Sequence, residues 1–278
     1  MFRSTSRRLA MVMSLSLTTA LGAFTCTPSP AAVVRDNTTP IVEGVPTNCW
    51  QDTARKPKAV VIALHGLVMH GGVFDTIARH LASEGMIVIA PDMRGFGRWI
   101  AAGTALDGDA EQPQLDYDRS FKDLSAIVRS TKERYPNLPT FCMGESLGAV
   151  IALRAAGEMG DSIDGIILSS PAIKHHSFVK EIAEQAGPFI ANPFRHVNLI
   201  PYIKKFASED PKIVQGALDD PLVRKRMTAL ELLKSANAIK PALGYADRVP
   251  SNMPVLIIQG NKDRMVKSNA VVLCLTHL

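Results

Sequence analysis

Gly144-Glu145-Ser146-Leu147-Gly148 joins a short apolar run, Thr140–Met143, to an Ala-rich helix expected over Ser146–Glu158. Glycines two before and two after the serine permit a strained turn that lifts a side chain out at the end of a strand. In that setting Ser146 reads as a nucleophile, and the helix N-terminus adds positive potential beside a developing oxyanion. The bare pattern is weak, because short Gly/Ser runs arise by chance. The plain alternative is a tight turn capped by Ser146. The strand before it and the helix after it give the nucleophile reading its weight.

Outward from the turn, the chain alternates strands and helices. Ala59–Leu64 is a continuous apolar, β-branched run, as expected for a strand covered on both faces. Val73–Ser83 carries Phe74, Ile77 and Leu81 on one helical face. Met86–Ala90 is a second buried strand, stopped by Pro91-Asp92. Residues 95–115 form a Gly- and Asp-rich loop, and Tyr117–Tyr135 is a charged amphipathic helix ended by Pro136. Ile163–Leu168 and Val255–Ile258 are further strands, and weak edge strands are expected within 33–56, around Asn48–Asp52. This alternation predicts an α/β fold with right-handed crossovers and a mostly parallel sheet flanked by helices. The rhythm breaks between Ile173 and Leu243, which hold helical pieces and no convincing strand, including Asp220-Pro221-Leu222 and a helical run to Ser235. That stretch reads as a helical cap, residues 172–242, inserted in a domain spanning 32–278.

Two more segments bear on chemistry. His65-Gly66-Leu67 ends the first strong strand, so the Leu67 N–H can face the site beside the Leu147 N–H as an oxyanion pair. His65 itself reads as a structural turn residue. In Gln259-Gly260-Asn261-Lys262-Asp263-Arg264-Met265-Val266, Asp263 lies just past a late parallel strand, where catalytic groups collect. There it would orient a histidine. The plain alternative is a loop Asp capping a helix that opens near Ser268.

At this point the chain resembles the monoacylglycerol lipase/lysophospholipase branch of the α/β-hydrolases, grouped with the serine aminopeptidase-like family. The resemblance rests on His65-Gly66, Pro91-Asp92-Met93-Arg94-Gly95-Phe96-Gly97, Gly144–Gly148, Leu168-Ser169-Ser170-Pro171-Ala172, Asp220-Pro221-Leu222 and Gly260–Val266. It implies a helical cap that admits an acyl chain, no cofactor, and oxyanion donors at Leu67 and Leu147. Glu145 stands where many members have His, and reads as a surface change at the elbow that leaves Ser146 intact.

The resemblance fails in one place. The family carries its catalytic histidine after one further strand beyond the acid, and only fifteen residues follow Asp263 here. The downstream histidine, His277, ends a helix expected to run back toward the N-terminal edge of the sheet. His175-His176 lie at the correct edge but read as cap-loop residues; His70 is a weaker candidate, and His80 and His196 have no special reading. The expectation is a C-terminally truncated member lacking the last strand and the histidine, with an exposed sheet edge. Ser146 would then be a weak nucleophile.

Composition bounds the remainder. The 278 residues are 46% hydrophobic and 21% charged, which suits one large core. Net charge is +5, but Arg3, Arg7 and Arg8 sit in a leading segment without acids, and +2 remains without them. That argues against a nucleic-acid partner. Cys26, Cys49, Cys142 and Cys274 show neither metal-ligand spacing nor a disulfide framework. Residues 1–31 read as an export signal: Arg7-Arg8, an apolar run Leu9–Phe24, then small residues and prolines. A periplasmic, secreted or envelope-attached protein follows, with membrane-surface association and oligomeric state left open. The leading expectation is a serine hydrolase cleaving monoacylglycerol- or lysophospholipid-like carboxylic esters through an acyl-enzyme. The alternatives are an impaired relic without the triad histidine and an aminopeptidase-like hydrolase. For the last, Glu209-Asp210 and Asp219-Asp220 read more simply as solvated charge.

Overall fold

The computed structural model describes residues 11–13, 33–100, 115–173, 194–267 and 269–278. Its elements, in chain order, are β1 (Met11–Met13), β2 (Val33–Asp36), β3 (Thr47–Asp52), β4 (Ala59–Leu64), α1 (Asp75–Ser83) and β5 (Met86–Pro91). There follow α2 (Tyr117–Arg134), β6 (Thr140–Glu145), α3 (Leu147–Glu158) and β7 (Gly165–Ser169). The cap contributes β8 (His196–Asn198), α4 (Ile200–Phe206), α5 (Pro211–Asp219), β9 (Arg226–Thr228), α6 (Ala229–Ile239) and α7 (Ala242–Ala246). Then come β10 (Val255–Ile258) and α8 (Asn269–Leu275).

Eight strands form one sheet in the order β1-β10-β7-β6-β4-β5-β3-β2. It is parallel from β1 to β5, while β3 runs antiparallel to β5 and β2 antiparallel to β3. All six residues of β4 are buried, because successive side chains enter opposite cores. Val60, Ile62 and Leu64 join Leu124 and Ile127 of α2 and Ile151 of α3 on one face. Val61 and Ala63 meet Trp50 and α1 residues Ala78 and Ala82 on the other. Two covered faces are what turned this strand into an unbroken apolar run.

The outer edge of β10 is not bare. Met11, Val12 and Met13 pair in parallel with Leu256, Ile257 and Ile258. These three residues fall within the segment read as an export signal, the remainder of which lies outside the described residues. No helix among the described residues is long and apolar enough to cross a membrane.

The described part of the segment between β7 and β10 holds strands that its sequence pattern does not predict: β8 and β9 pair antiparallel as a two-stranded ribbon. Each strand has three residues with one buried apolar side chain, Val197 or Met227. So short a run has no period to detect. The ribbon hands over to α6 through a capping box, in which Thr228 and Glu231 satisfy each other's backbone N–H groups. Glu231 also receives the buried Arg224 guanidinium at 2.6 Å. A second Arg224 nitrogen donates to the Gly95 carbonyl at 2.8 Å, which fastens the cap to the loop after β5.

Truncating one partner of a buried pair strands the other's charge, at a cost of roughly 3–5 kcal/mol. Glu231→Ala is therefore expected to lower unfolding free energy by about that amount, read from urea denaturation. A change below about 1 kcal/mol would show that Arg224 is solvated or re-paired in the variant.

Candidate active site

Ser146 is the single residue between β6 and α3, and it sits at φ 54°, ψ −111°. A positive φ on a residue with a Cβ is strained and persists only when neighbours hold it. Here its N–H donates to the Ser169 carbonyl at 2.9 Å, and its carbonyl accepts from Ala149 and Ala172, each at 3.2 Å. Gly144 and Gly148 make the turn sterically feasible. A Cβ on Gly148 would strike the Leu64 carbonyl oxygen, and one on Gly144 would strike that of Gly148.

The turn lifts Ser146 into a pocket of about 370 Å³. Gly66, Leu67 and Met69 form one wall, the 260–266 loop another, and Phe206–Glu209 of the cap a third. His65 lies buried beneath the first wall. Its Nδ1–H donates to the Gly66 carbonyl at 2.8 Å, and Nε2 accepts from the Met93 N–H at 3.0 Å. With both nitrogens used this way the ring is neutral, and burial pushes its pKa down to about 4. Both ring nitrogens of His65 are thus spent on backbone groups of Gly66 and Met93. A Cβ on Gly66 would lie 3.5 Å from Ser146 Cβ, so the turn passes close to the serine. Among the described residues the N–H groups of Leu67 and Leu147 have no acceptor.

Asp263 reaches the same pocket. One carboxylate oxygen accepts from the Met265 and Val266 N–H groups at 2.8 and 2.9 Å, and the other from the Gln259 amide at 3.0 Å. Beside it lies Glu145, which corrects the surface reading of that position. As the last residue of β6, Glu145 is half-buried and lines the pocket. Burial first, and the Asp263 charge second, raise its pKa above the ordinary carboxylate range. Strand alternation was the signal that could have found it, since β6 extends two residues past Met143.

Among the described residues, none that lines the pocket is a histidine. His277 hydrogen-bonds Asp247 at 2.8 Å, in the segment that leads into the N-terminal end of β10. His70 pairs with Asp220 at 2.9 Å, and His80 and His196 are exposed. His175 and His176 lie outside the described residues, as does Ser268. The sequence-based set therefore divides. Gly66, Leu67, Ser146 and Asp263 share one pocket, Leu147 and the two elbow glycines belong to the turn around Ser146 without lining it, and no histidine joins them from the described residues.

The sheet order, the cap between β7 and β10 and the serine elbow define an α/β-hydrolase. Within that class the chain belongs to the serine aminopeptidase S33 family, whose profile matches residues 55–276. A monoglyceride lipase homolog of Monkeypox virus is 27% identical over 213 residues, spanning 75% of this chain and 72% of its own. A monoacylglycerol lipase of Mycolicibacterium smegmatis is 23% identical over 215 residues, with 76% and 72% covered. In fold, the chain is similar to a soluble variant of monoglyceride lipase from Saccharomyces cerevisiae in complex with a substrate analog. The TM-score is 0.69 at 17% identity, over 88% of this chain and 82% of that one.

The His65 environment sets a pH dependence. Its folded pKa lies below the 6.5 of the unfolded chain, so the unfolded state binds the extra proton. The contribution is complete above pH 6.5 and is lost as pH falls toward 4. The slope approaches ~1.4 kcal/mol per pH unit and the total about 3 kcal/mol. Urea unfolding of wild type and His65→Asn between pH 4 and 7 should show the variant losing about one proton's worth of slope. Parallel curves would mean that His65 titrates alike in the folded and unfolded chains.

Proposed function

We propose that this chain is a serine ester hydrolase for monoacylglycerol- or lysophospholipid-like substrates. Ser146 Oγ attacks the ester carbonyl carbon, and the oxygen that gains charge is received by the Leu67 and Leu147 N–H groups. Collapse of that intermediate expels the alcohol and leaves an acyl-enzyme, which water then cleaves. Asp263, already braced by three N–H donors, is placed to orient a histidine that would take the Ser146 proton, a group that the described residues of the pocket do not supply. The observation that carries the reading is the convergence in one pocket of a strained serine, a turn with an unused N–H and a braced carboxylate. Leu67, Met69, Phe206, Met265 and Val266 give that pocket apolar walls suited to an acyl chain. The monoglyceride lipase names of the relatives agree.

Two other readings are weighed on single observations. The pocket of the described residues lacks a histidine, which favours a catalytically impaired protein with the same scaffold. An aminopeptidase-like hydrolase needs a carboxylate free for the substrate's amine. Glu209 lines the pocket but faces Arg264 at 3.4 Å, and burial disfavours the charged form of Glu145, which together favour the ester. We further propose that residues 1–31 direct export. Expressed with its own N-terminus in a bacterium, the chain should yield a periplasmic product beginning near residue 32, which lacks β1 and leaves the outer edge of β10 uncovered. A cytoplasmic product of full mass would overturn that proposal.

A fluorophosphonate that phosphonylates activated serines separates the readings. Wild type is expected to be labelled, Ser146→Ala not, and Asp263→Asn roughly 10–100-fold more slowly. Labelled wild type should release fatty acid from monoacylglycerol or lysophosphatidylcholine. Folded wild type that resists labelling supports the impaired reading, and label retained in Ser146→Ala overturns Ser146 as nucleophile.

A further inference from the structure

The Asp220-Pro221-Leu222 turn has no part in the chemistry above, yet it touches the wall that carries Leu67. That wall, residues 65–70, is attached at three points. His65 ties its base to Met93. At its apex Val68 stands at φ 65°, a conformation that a β-branched residue keeps only under constraint, and its carbonyl accepts from the Arg224 N–H at 2.8 Å. At its far end His70 is buried. Its Nδ1 accepts from the Gly72 N–H at 3.1 Å, which leaves the ring proton on Nε2 to be donated to Asp220 Oδ2 at 2.9 Å. Two of the three attachments therefore come from the cap.

The cap side of these contacts is itself braced. The second Asp220 oxygen accepts from the Leu222 N–H at 2.8 Å, and the Asp220 carbonyl accepts from Lys225 Nζ at 2.8 Å. Four residues on, Arg224 is fixed by Gly95 and Glu231. We propose that Asp220 is a positioning residue: through His70, and together with the Arg224 amide on Val68, it holds the 65–70 turn so that the Leu67 N–H faces Ser146. The proposal rests on the reading of Leu67 as an oxyanion donor, and it makes the seat of the cap a condition for that donor being in place. Asp220 touches no reacting atom. Its effect travels through two hydrogen-bonded links to a donor whose placement matters at the scale of tenths of an ångström.

The test compares Asp220→Ala with wild type and with Asp219→Ala, which removes the neighbouring exposed charge. Amide hydrogen exchange over residues 65–74 is expected to rise tenfold or more in Asp220→Ala, with exchange in β5 unchanged. His70→Ala should reproduce that rise, and the double variant should add little to either. The maximal rate of fluorophosphonate labelling should fall at least tenfold in Asp220→Ala, with half-saturation within about threefold. Asp219→Ala should match wild type throughout. Unchanged exchange over 65–74 in Asp220→Ala overturns the proposal whatever the activity. Faster exchange with no loss of labelling rate overturns the link to Leu67. Wild type that fails to label counts against the Ser146 reading instead, and the exchange result still decides for or against the hold on the turn. If Asp220→Ala does not fold, Asp220→Asn removes one acceptor of the two and is read in the same way.

Discussion

The first turn of α3 can form only because residues 144 and 148 have no side chains. With Gly148 against the end of β4 and Gly144 against Gly148, helix and sheet meet backbone to backbone. That closeness lets the Ser146 N–H reach Ser169 and its carbonyl gather two donors. Those bonds offset a backbone strain of about 1–3 kcal/mol. The same contact sets the Leu147 N–H beside the turn at 65–67. A longer separation between α3 and β4 would relax Ser146 and also part the two amides. Strain at the serine and proximity of the donors are therefore one geometric fact.

Much of this was legible because it depends on local pattern. Covering β4 and β5 on both faces requires apolar side chains at every position, so Ala59–Leu64 and Met86–Ala90 read as buried strands without any contact being known. The Gly-x-Ser-x-Gly spacing reports a steric demand within five residues. Asp263 follows from position past a parallel strand, and the backbone N–H groups that brace it lie two and three residues away.

What was not legible depends on partners distant in sequence. His70 and Asp220 are 150 residues apart, and neither has a local pattern that predicts the other. The β8–β9 ribbon carries one apolar residue per strand, too few for a period. β1 gains its place from an edge that another strand leaves available, not from its own composition. Glu145 is a different case. Its neighbouring glycine and serine spell a turn at the surface, whereas β6 runs through Glu145 and delivers its side chain beside Asp263.

The pocket is consequently a joint between the sheet and the cap, and the ties across it differ in strength. On the Leu67 side the cap binds through Arg224, buried and held by a carboxylate and a carbonyl. On the α4 side it binds through Arg264, half exposed, which reaches the Lys205 carbonyl at 3.2 Å and the exposed Glu209 at 3.4 Å. A solvated pair of that kind contributes about 0–1 kcal/mol, whereas disrupting the buried one costs several. The polar end of the pocket, at Leu67, is therefore fixed to the cap by a pair whose disruption costs several kcal/mol, and the solvated Arg264–Glu209 pair on the opposite side adds little to that hold.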